Sequence, residues 1–492
     1  MAAEKAFESP KTVAHEHTHA QNRFAAIPTP LRLDADESLT GRGVTIAFLD
    51  SGFHPHPDLV EPTNRIIAYH DLTGEEPVLD SGRNSEAWHW HGTMTSVAAC
   101  GNGQLSDGIY RGLASEANLV LVKASSRGRI IEEAIARGIE WVVENRERLQ
   151  IRVLNISLGG DEDVPYESSA IDRAAEEAVR AGIVVVAAAG NSGCSERHTS
   201  VPPANSPSVI TVGGHDDMNS FETHDDGAYC SNYGLTADGL MKPEIIAPAM
   251  WVAAPILPGT ASYEMAEKLS RLVSAPDYAL ARTVRELWDG DAPPELLAGR
   301  PEEIRAAVER LLRENRVVAT HYQHADGTSF AAPVVSSLVV QMLEANPRLT
   351  PSAVKHILVS TAARVGGVGA ERQGYGVLHA RRAVEAARRE EHVFEIGHFG
   401  PPRVWEGGTV FFHHDDAARR VELAGDFNDW NPTETSFARG ADGVWRAVVR
   451  QLKPGRYRYK FLIDGVRWAE DMASGLKEPD GFGGFNSILD VP

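Results

Sequence analysis

The chain has 492 residues, more than one ordinary hydrophobic core accommodates, so two domains are expected. Apolar residues make up 42%, the composition of a soluble globular protein. A formal charge of −20 argues against nucleic acid and against anionic membrane as partners.

Residues 1–40 read as an N-terminal extension. Its first twenty residues hold no apolar run long enough for a leader or a bilayer span, so neither is expected. The tract His15-Glu16-His17-Thr18-His19 reads as a solvated tail rather than a metal site. Cys100, Cys194 and Cys230 are too few, and odd in number, to suggest a disulfide framework. They are expected as small buried side chains, with a reducing, cytoplasmic setting.

Residues 43–49 (GVTIAFL) form a nearly continuous apolar run ending in Asp50, the pattern of a central parallel strand buried on both faces. Residues 119–123, 153–157 and 183–189 repeat it, with helical stretches at 130–144 and 169–181 between them. Such alternation predicts an α/β fold, a parallel sheet flanked by helices. Active sites gather at the carboxyl ends of strands in such sheets, and Asp50, Ser157 and Asn191 fall at or near such ends. His91 opens a predicted helix over 92–100, and Ser329 opens another over 330–344 that stops before Pro347. A helical insertion at about 258–320 interrupts the rhythm. Leu280, Val284, Leu287 and Trp288 share one helical face; Ile304, Val308, Leu311 and Leu312 share another. It reads equally as a surface decoration and as a lid beside the site. The catalytic unit extends to about 391.

Asp50, His91 and Ser329 supply a carboxylate, an imidazole and a hydroxyl. A serine hydroxyl is a weak nucleophile at neutral pH. It needs an imidazole to take its proton and a carboxylate to hold the imidazole tautomer. Asn191 follows a buried strand, where a donor to an oxyanion is wanted.

Five segments stand in one order: Asp50-Ser51-Gly52, His91-Gly92-Thr93, Asn155-Ile156-Ser157-Leu158-Gly159-Gly160, Ala189-Gly190-Asn191-Ser192-Gly193, and Gly327-Thr328-Ser329 through Pro333. In these residues the chain from about 41 to 387 resembles the subtilisin-like serine proteases. The resemblance implies a serine endopeptidase acting on protein or peptide substrates through an acyl-enzyme. It makes Ser329 the nucleophile, His91 the general base, Asp50 its orienting carboxylate and Asn191 an oxyanion donor. Ser157, Leu158 and Gly159 would pair with an extended substrate, and Ala188, Ala189 and Gly190 would wall the S1 pocket. Asp58 corresponds to a calcium-ligand position in secreted members, but residues 101–104 (GNGQ) do not match their calcium loop. No metal or cofactor is therefore expected.

From about 404 to 492 the apolar alternation changes to period two. Arg456, Arg458 and Lys460 face one way; Tyr457, Tyr459, Phe461 and Ile463 face the other. With turn signals at Asp442-Gly443, Pro454-Gly455 and Asp464-Gly465, this predicts an immunoglobulin-like β-sandwich, with the boundary between about 392 and 403. Residues 421–430 (VELAGDFNDW), 459–465 (YKFLIDG) with Trp468, and 486–489 (NSIL) resemble the glycogen-binding modules of AMP-activated kinase β subunits and branching enzymes. The resemblance implies that Trp430 and Trp468 stack on an α-glucan such as glycogen while Lys460 and Asn486 bond its hydroxyls. Flat rings against apolar sugar faces give the same reading on physical grounds. Two competing readings remain: a glucan-binding scaffold with an inactive protease-like half, and a sandwich that only stabilises its neighbour.

Overall fold

The structure is a computed structural model. It describes residues 26–491 except 77, 80–85, 161–163, 195–197, 224–225, 289–291, 298, 391–401, 406–407, 414, 416, 440–444, 451, 472–473 and 475–476. The histidine tract at 15–19 and most of the expected domain boundary at 392–403 lie outside the described residues.

Seven parallel strands form the central sheet. Their order is Ile245–Pro248, Ile210–Asp216, Val184–Ala188, Ile151–Ile156, Thr45–Asp50, Asn118–Lys123 and Ile66–Asp71. Thr45–Asp50 is buried along its whole length because helices cover both faces, which explains its unbroken apolar sequence. One layer contains Phe48, Leu121 and Val186 against the helix Thr328–Ala345; the other contains Leu49, Val122 and Ile156 against Glu132–Leu149 and Ala170–Arg180. Truncating Phe48 or Leu121 to Ala removes a fully buried side chain and costs about 3–5 kcal/mol. Ser169 caps Ala170–Arg180 by accepting from the Asp172 N–H.

Thr328–Ala345 is apolar and long enough by composition to cross a bilayer, but 83% of it is buried inside the protein. It is the core helix of the α/β domain.

The insertion is built on an antiparallel sheet of Val252–Pro255, Tyr322–Ala325 and Val317–Ala319. Helices Ala261–Ser274, Leu280–Trp288 and Pro301–Glu314 enclose a core of their own that contains Leu269, Leu280, Val284, Ile304, Val308 and Leu311. The strands that flank the insertion pack on the helix Trp90–Cys100, where Met94 and Ala98 meet Val252, Ala254 and Ala325.

The C-terminal strands form two antiparallel sheets around Phe411, Leu423, Trp445, Tyr459 and Phe461. This sandwich docks on the α/β domain through Arg364 and Glu470 (3.2 Å) and through the Lys477 ammonium, 4.2 Å from the centre of the Tyr375 ring. A cavity of about 570 Å³ lies at this junction, lined by Lys242, Glu244, Lys355, Tyr375, Lys477 and Phe485 among others. Glu244 precedes the strand Ile245–Pro248, so the junction sits at the amino ends of the strands, opposite the ends that carry Asp50 and Asn191.

Candidate active site

Asp50 closes its strand fully buried, yet each of its oxygens has a donor. Oδ1 accepts from His91 Nδ1 at 2.7 Å and from the Ser51 N–H at 2.6 Å; Oδ2 accepts from Thr95 Oγ1 at 3.0 Å. A carboxylate so placed orients the imidazole with its proton on Nδ1, leaving Nε2 as the acceptor. His91 is the second residue of Trp90–Cys100, and its side chain keeps 19% of its surface. Burial pushes its pKa down, but the Asp50 charge and the hydrogen bond to Asp50 outweigh burial and raise it above the usual 6.5. Gly92 is required beside it, since a Cβ there would lie 2.3 Å from the Gly52 carbonyl oxygen.

Ser329 is the second residue of Thr328–Ala345, whose preceding residue Gly327 has φ +135°, a conformation suited to glycine. Pro333 lies inside that helix and has no N–H to offer the carbonyl four residues back, which is that of Ser329. Ser157 Oγ donates to that carbonyl instead at 3.0 Å, so the proline leaves a carbonyl that ties the Ser329 backbone to Ser157. The Ser329 hydroxyl itself donates to the Ser157 carbonyl at 3.4 Å in this resting rotamer. The ring of Phe330, the next residue, lies 6.0 Å from the His91 ring.

Asn191 follows Val184–Ala188 through Gly190, which has φ +102° and no room for a Cβ beside Asn232. Asn191 Oδ1 accepts from the Thr328 N–H at 2.8 Å and from Thr328 Oγ1 at 3.0 Å. With its oxygen so engaged, the amide's N–H₂ end is turned away from Thr328 and is free to donate. Ala189 and Gly190 hold that loop through the bonds Ala189 N–H to Val212 O and Asn232 N–H to Gly190 O, both 3.0 Å; Ala188 still pairs within the sheet. Ser157 lies just past its strand, Leu158 packs half-buried on the sheet's second layer, and Gly159 closes against the Pro202 carbonyl. Thr95 and Thr328, which fix Asp50 and Asn191, were not singled out as functional by sequence reasoning. Thr328 stands inside the segment Gly327-Thr328-Ser329, and a hydroxyl directly before Ser329 is the available signal.

One expectation is corrected. Cys194 and Cys230 form a disulfide across a separation of 36 residues, with Cα atoms 4.5 Å apart. Only Cys100 is free and buried, its thiol pushed up to about 12 by burial. The pairing was missed because the partners meet only when Gly193 N–H bonds the Cys230 carbonyl (3.0 Å). It also removes cysteine usage as an argument for a reducing compartment. Asp58, the position relevant to calcium, has both oxygens engaged within the protein, Oδ2 by the Tyr322 hydroxyl (2.6 Å) and Oδ1 by the Leu105 N–H (3.1 Å). That donor set does not suit a cation.

In the sandwich, Lys460, Trp468 and Asn486 lie on the sheet face opposite Tyr459 and Phe461. Lys460 pairs with Asp480. Trp430 Nε1 donates to Asp426 Oδ1 at 3.0 Å, and Asp426 also holds Arg458, on the same face as Lys460. Trp468 is 49% exposed.

A buried carboxylate, an imidazole and a helix-borne serine at the carboxyl ends of a parallel sheet define a serine hydrolase of the Asp–His–Ser order. Comparison with known proteins makes the class specific. The subtilase family model (peptidase S8) matches residues 41–376, and that of carbohydrate-binding module 48, the isoamylase N-terminal domain, matches residues 398–473. The chain is 32% identical over 358 residues to serine protease AprX of Bacillus subtilis (strain 168), covering 71% of this chain and 67% of that protein. It is 34% identical over 218 residues to subtilisin BL of Lederbergia lenta, covering 44% of this chain and 67% of that protein. Among solved structures, fervidolysin from Fervidobacterium pennivorans, a keratinolytic enzyme related to subtilisin, shares the fold. The TM-score is 0.50 at 21% identity, over 88% of this chain and 54% of that one. The chain belongs to the subtilase family: it is a subtilisin-like serine protease with a C-terminal carbohydrate-binding module.

Proposed function

We propose that Ser329 attacks the scissile carbonyl, His91 Nε2 takes its proton and returns it to the leaving amine, and Asp50 stabilises the imidazolium. The Asn191 side-chain amide and the Ser329 N–H hold the oxyanion. Ser157, Leu158 and Gly159 pair with the extended substrate, and Ala188, Ala189 and Gly190 wall the S1 pocket. The observation behind this reading is the pair of locks: Asp50 on His91 Nδ1, and Thr328 on Asn191 Oδ1. Labelling by a fluorophosphonate probe tests it. The label is expected on the wild type and lost in Ser329→Ala; a label retained in that variant overturns the assignment.

For the module, we infer binding of an α-glucan such as glycogen through Trp430, Trp468, Lys460 and Asn486, which would tether the protease beside its protein substrates and raise their effective concentration. The exposure of Trp468 on the face shared with Lys460 and Asn486 supports this. Co-sedimentation with amylopectin, lost in the Trp430→Ala, Trp468→Ala double variant, is the expected result; unchanged pelleting overturns it. A stabilising role for the sandwich is favoured as well by the Arg364–Glu470 contact and by Lys477 over Tyr375. Deletion from residue 402 onward is then expected to lower Tm.

A further inference from the structure

The segment leading into His91 is braced on almost every side. Trp88 Nε1 donates to Glu76 Oε1 (3.1 Å), and the His89 ring meets Glu76 Oε2 (2.9 Å). The Glu86 N–H bonds His89 Nδ1 (3.1 Å). Gly128 lies so close to Trp88 that a Cβ would come within 2.8 Å of the Trp88 Cβ, and one on Gly52 would lie 3.2 Å from His89 Cδ2. Phe330, on another side of the imidazole, is buried. Trp90 differs from all of these. It is the residue directly before His91, and it leaves 46% of its surface in solvent. Its ring stands perpendicular to the imidazole (88°) with centroids 5.0 Å apart.

The imidazole must reach both the attacking hydroxyl and the leaving amine, so the scissile bond lies beside Nε2. The Trp90 ring, centred 5.0 Å from the imidazole, is a neighbour of that place. An exposed indole there gains most from an apolar neighbour, which removes from water a surface the protein leaves uncovered.

We propose that Trp90 is a specificity-determining wall of the cleft, selecting peptides with a large apolar side chain next to the scissile bond. This rests on His91 acting as the general base. It adds a substrate preference to that site.

The test uses the full chain and internally quenched peptides carrying Gly, Ser, Leu, Phe or Arg on each side of one cleavable bond. In the wild type, kcat/KM for Leu or Phe over Gly is expected to exceed tenfold at one flanking position. Trp90→Ala is expected to cut that ratio by about 10- to 50-fold, whereas Trp90→Phe keeps most of it. Fluorophosphonate labelling of Ser329 should proceed in all three proteins. An equal loss on every peptide, with the ratio kept, assigns Trp90 to structure alone and overturns the proposal. So does a lost preference for Arg in place of Leu and Phe, which would mark a cation–π site. Absence of labelling in the wild type would instead sink the catalytic reading, a failure distinct from this one.

Discussion

The two domains hold their candidate functional residues in different ways. In the α/β domain each group sits at the end of an element and has its spare hydrogen-bonding capacity consumed by a neighbour: Thr95 on Asp50, Thr328 on Asn191, Ser157 on the Ser329 carbonyl. In the sandwich the candidate residues share one sheet face, Trp468 half in solvent and Lys460 largely buried and paired with Asp480. The first arrangement fixes atoms to within fractions of an ångström, as bond-making requires. The second offers a platform that tolerates small displacements, which suffices for stacking on a repetitive sugar chain.

That contrast predicts steep losses in one domain and shallow ones in the other. Ser329→Ala is expected to lower kcat by roughly 10⁵- to 10⁶-fold, measured on a fluorogenic peptide. Asn191→Leu should lower kcat by about 10²- to 10³-fold with KM little changed. Thr328→Val, which removes only the hydroxyl lock, should cost about 10-fold in kcat; a larger change in KM than in kcat would show that Thr328 shapes the pocket rather than the oxyanion site. Replacing both Cys194 and Cys230 with Ser opens a loop of 36 residues and should remove about 3–4 kcal/mol of stability in the chain-entropy account. Denaturant unfolding checks it, and equal stability of the two proteins would contradict the pairing. Trp468→Ala should weaken amylopectin binding about 10-fold, with kcat/KM on a free peptide within twofold of wild type. A protease defect in that variant would break the division between the domains.

The smallest effect is in pH. The His91 pKa is raised above 6.5, and the base works only when neutral. Activity should therefore fall as pH drops through that raised value, with the acid-side midpoint of kcat/KM above 6.5. A midpoint at pH 5 would contradict the Asp50–His91 pairing.

Much of this architecture was legible in the sequence. The apolar runs ending in Asp50 and preceding Asn191 marked central strands, because strands buried on both faces have no polar alternation to confuse with helix. The helices bearing His91 and Ser329 fell within two residues of their predicted spans. What stayed hidden depends on contacts between distant segments. Cys194 meets Cys230 only after the strand Ile210–Asp216 has crossed between them in sequence. Asp58 meets Tyr322 from beyond the insertion, 264 residues away. The helix Ala261–Ser274 was not picked out within the insertion, although its apolar face packs in the same small core as its two neighbours. The sandwich docks in part through Lys477, a lysine buried at the junction, where sequence pattern predicts exposure.

The sandwich attaches at the amino ends of the strands, and the cleft opens at their other ends. Docking at one end of the sheet therefore leaves the strand ends that carry Asp50 and Asn191 clear of the sandwich.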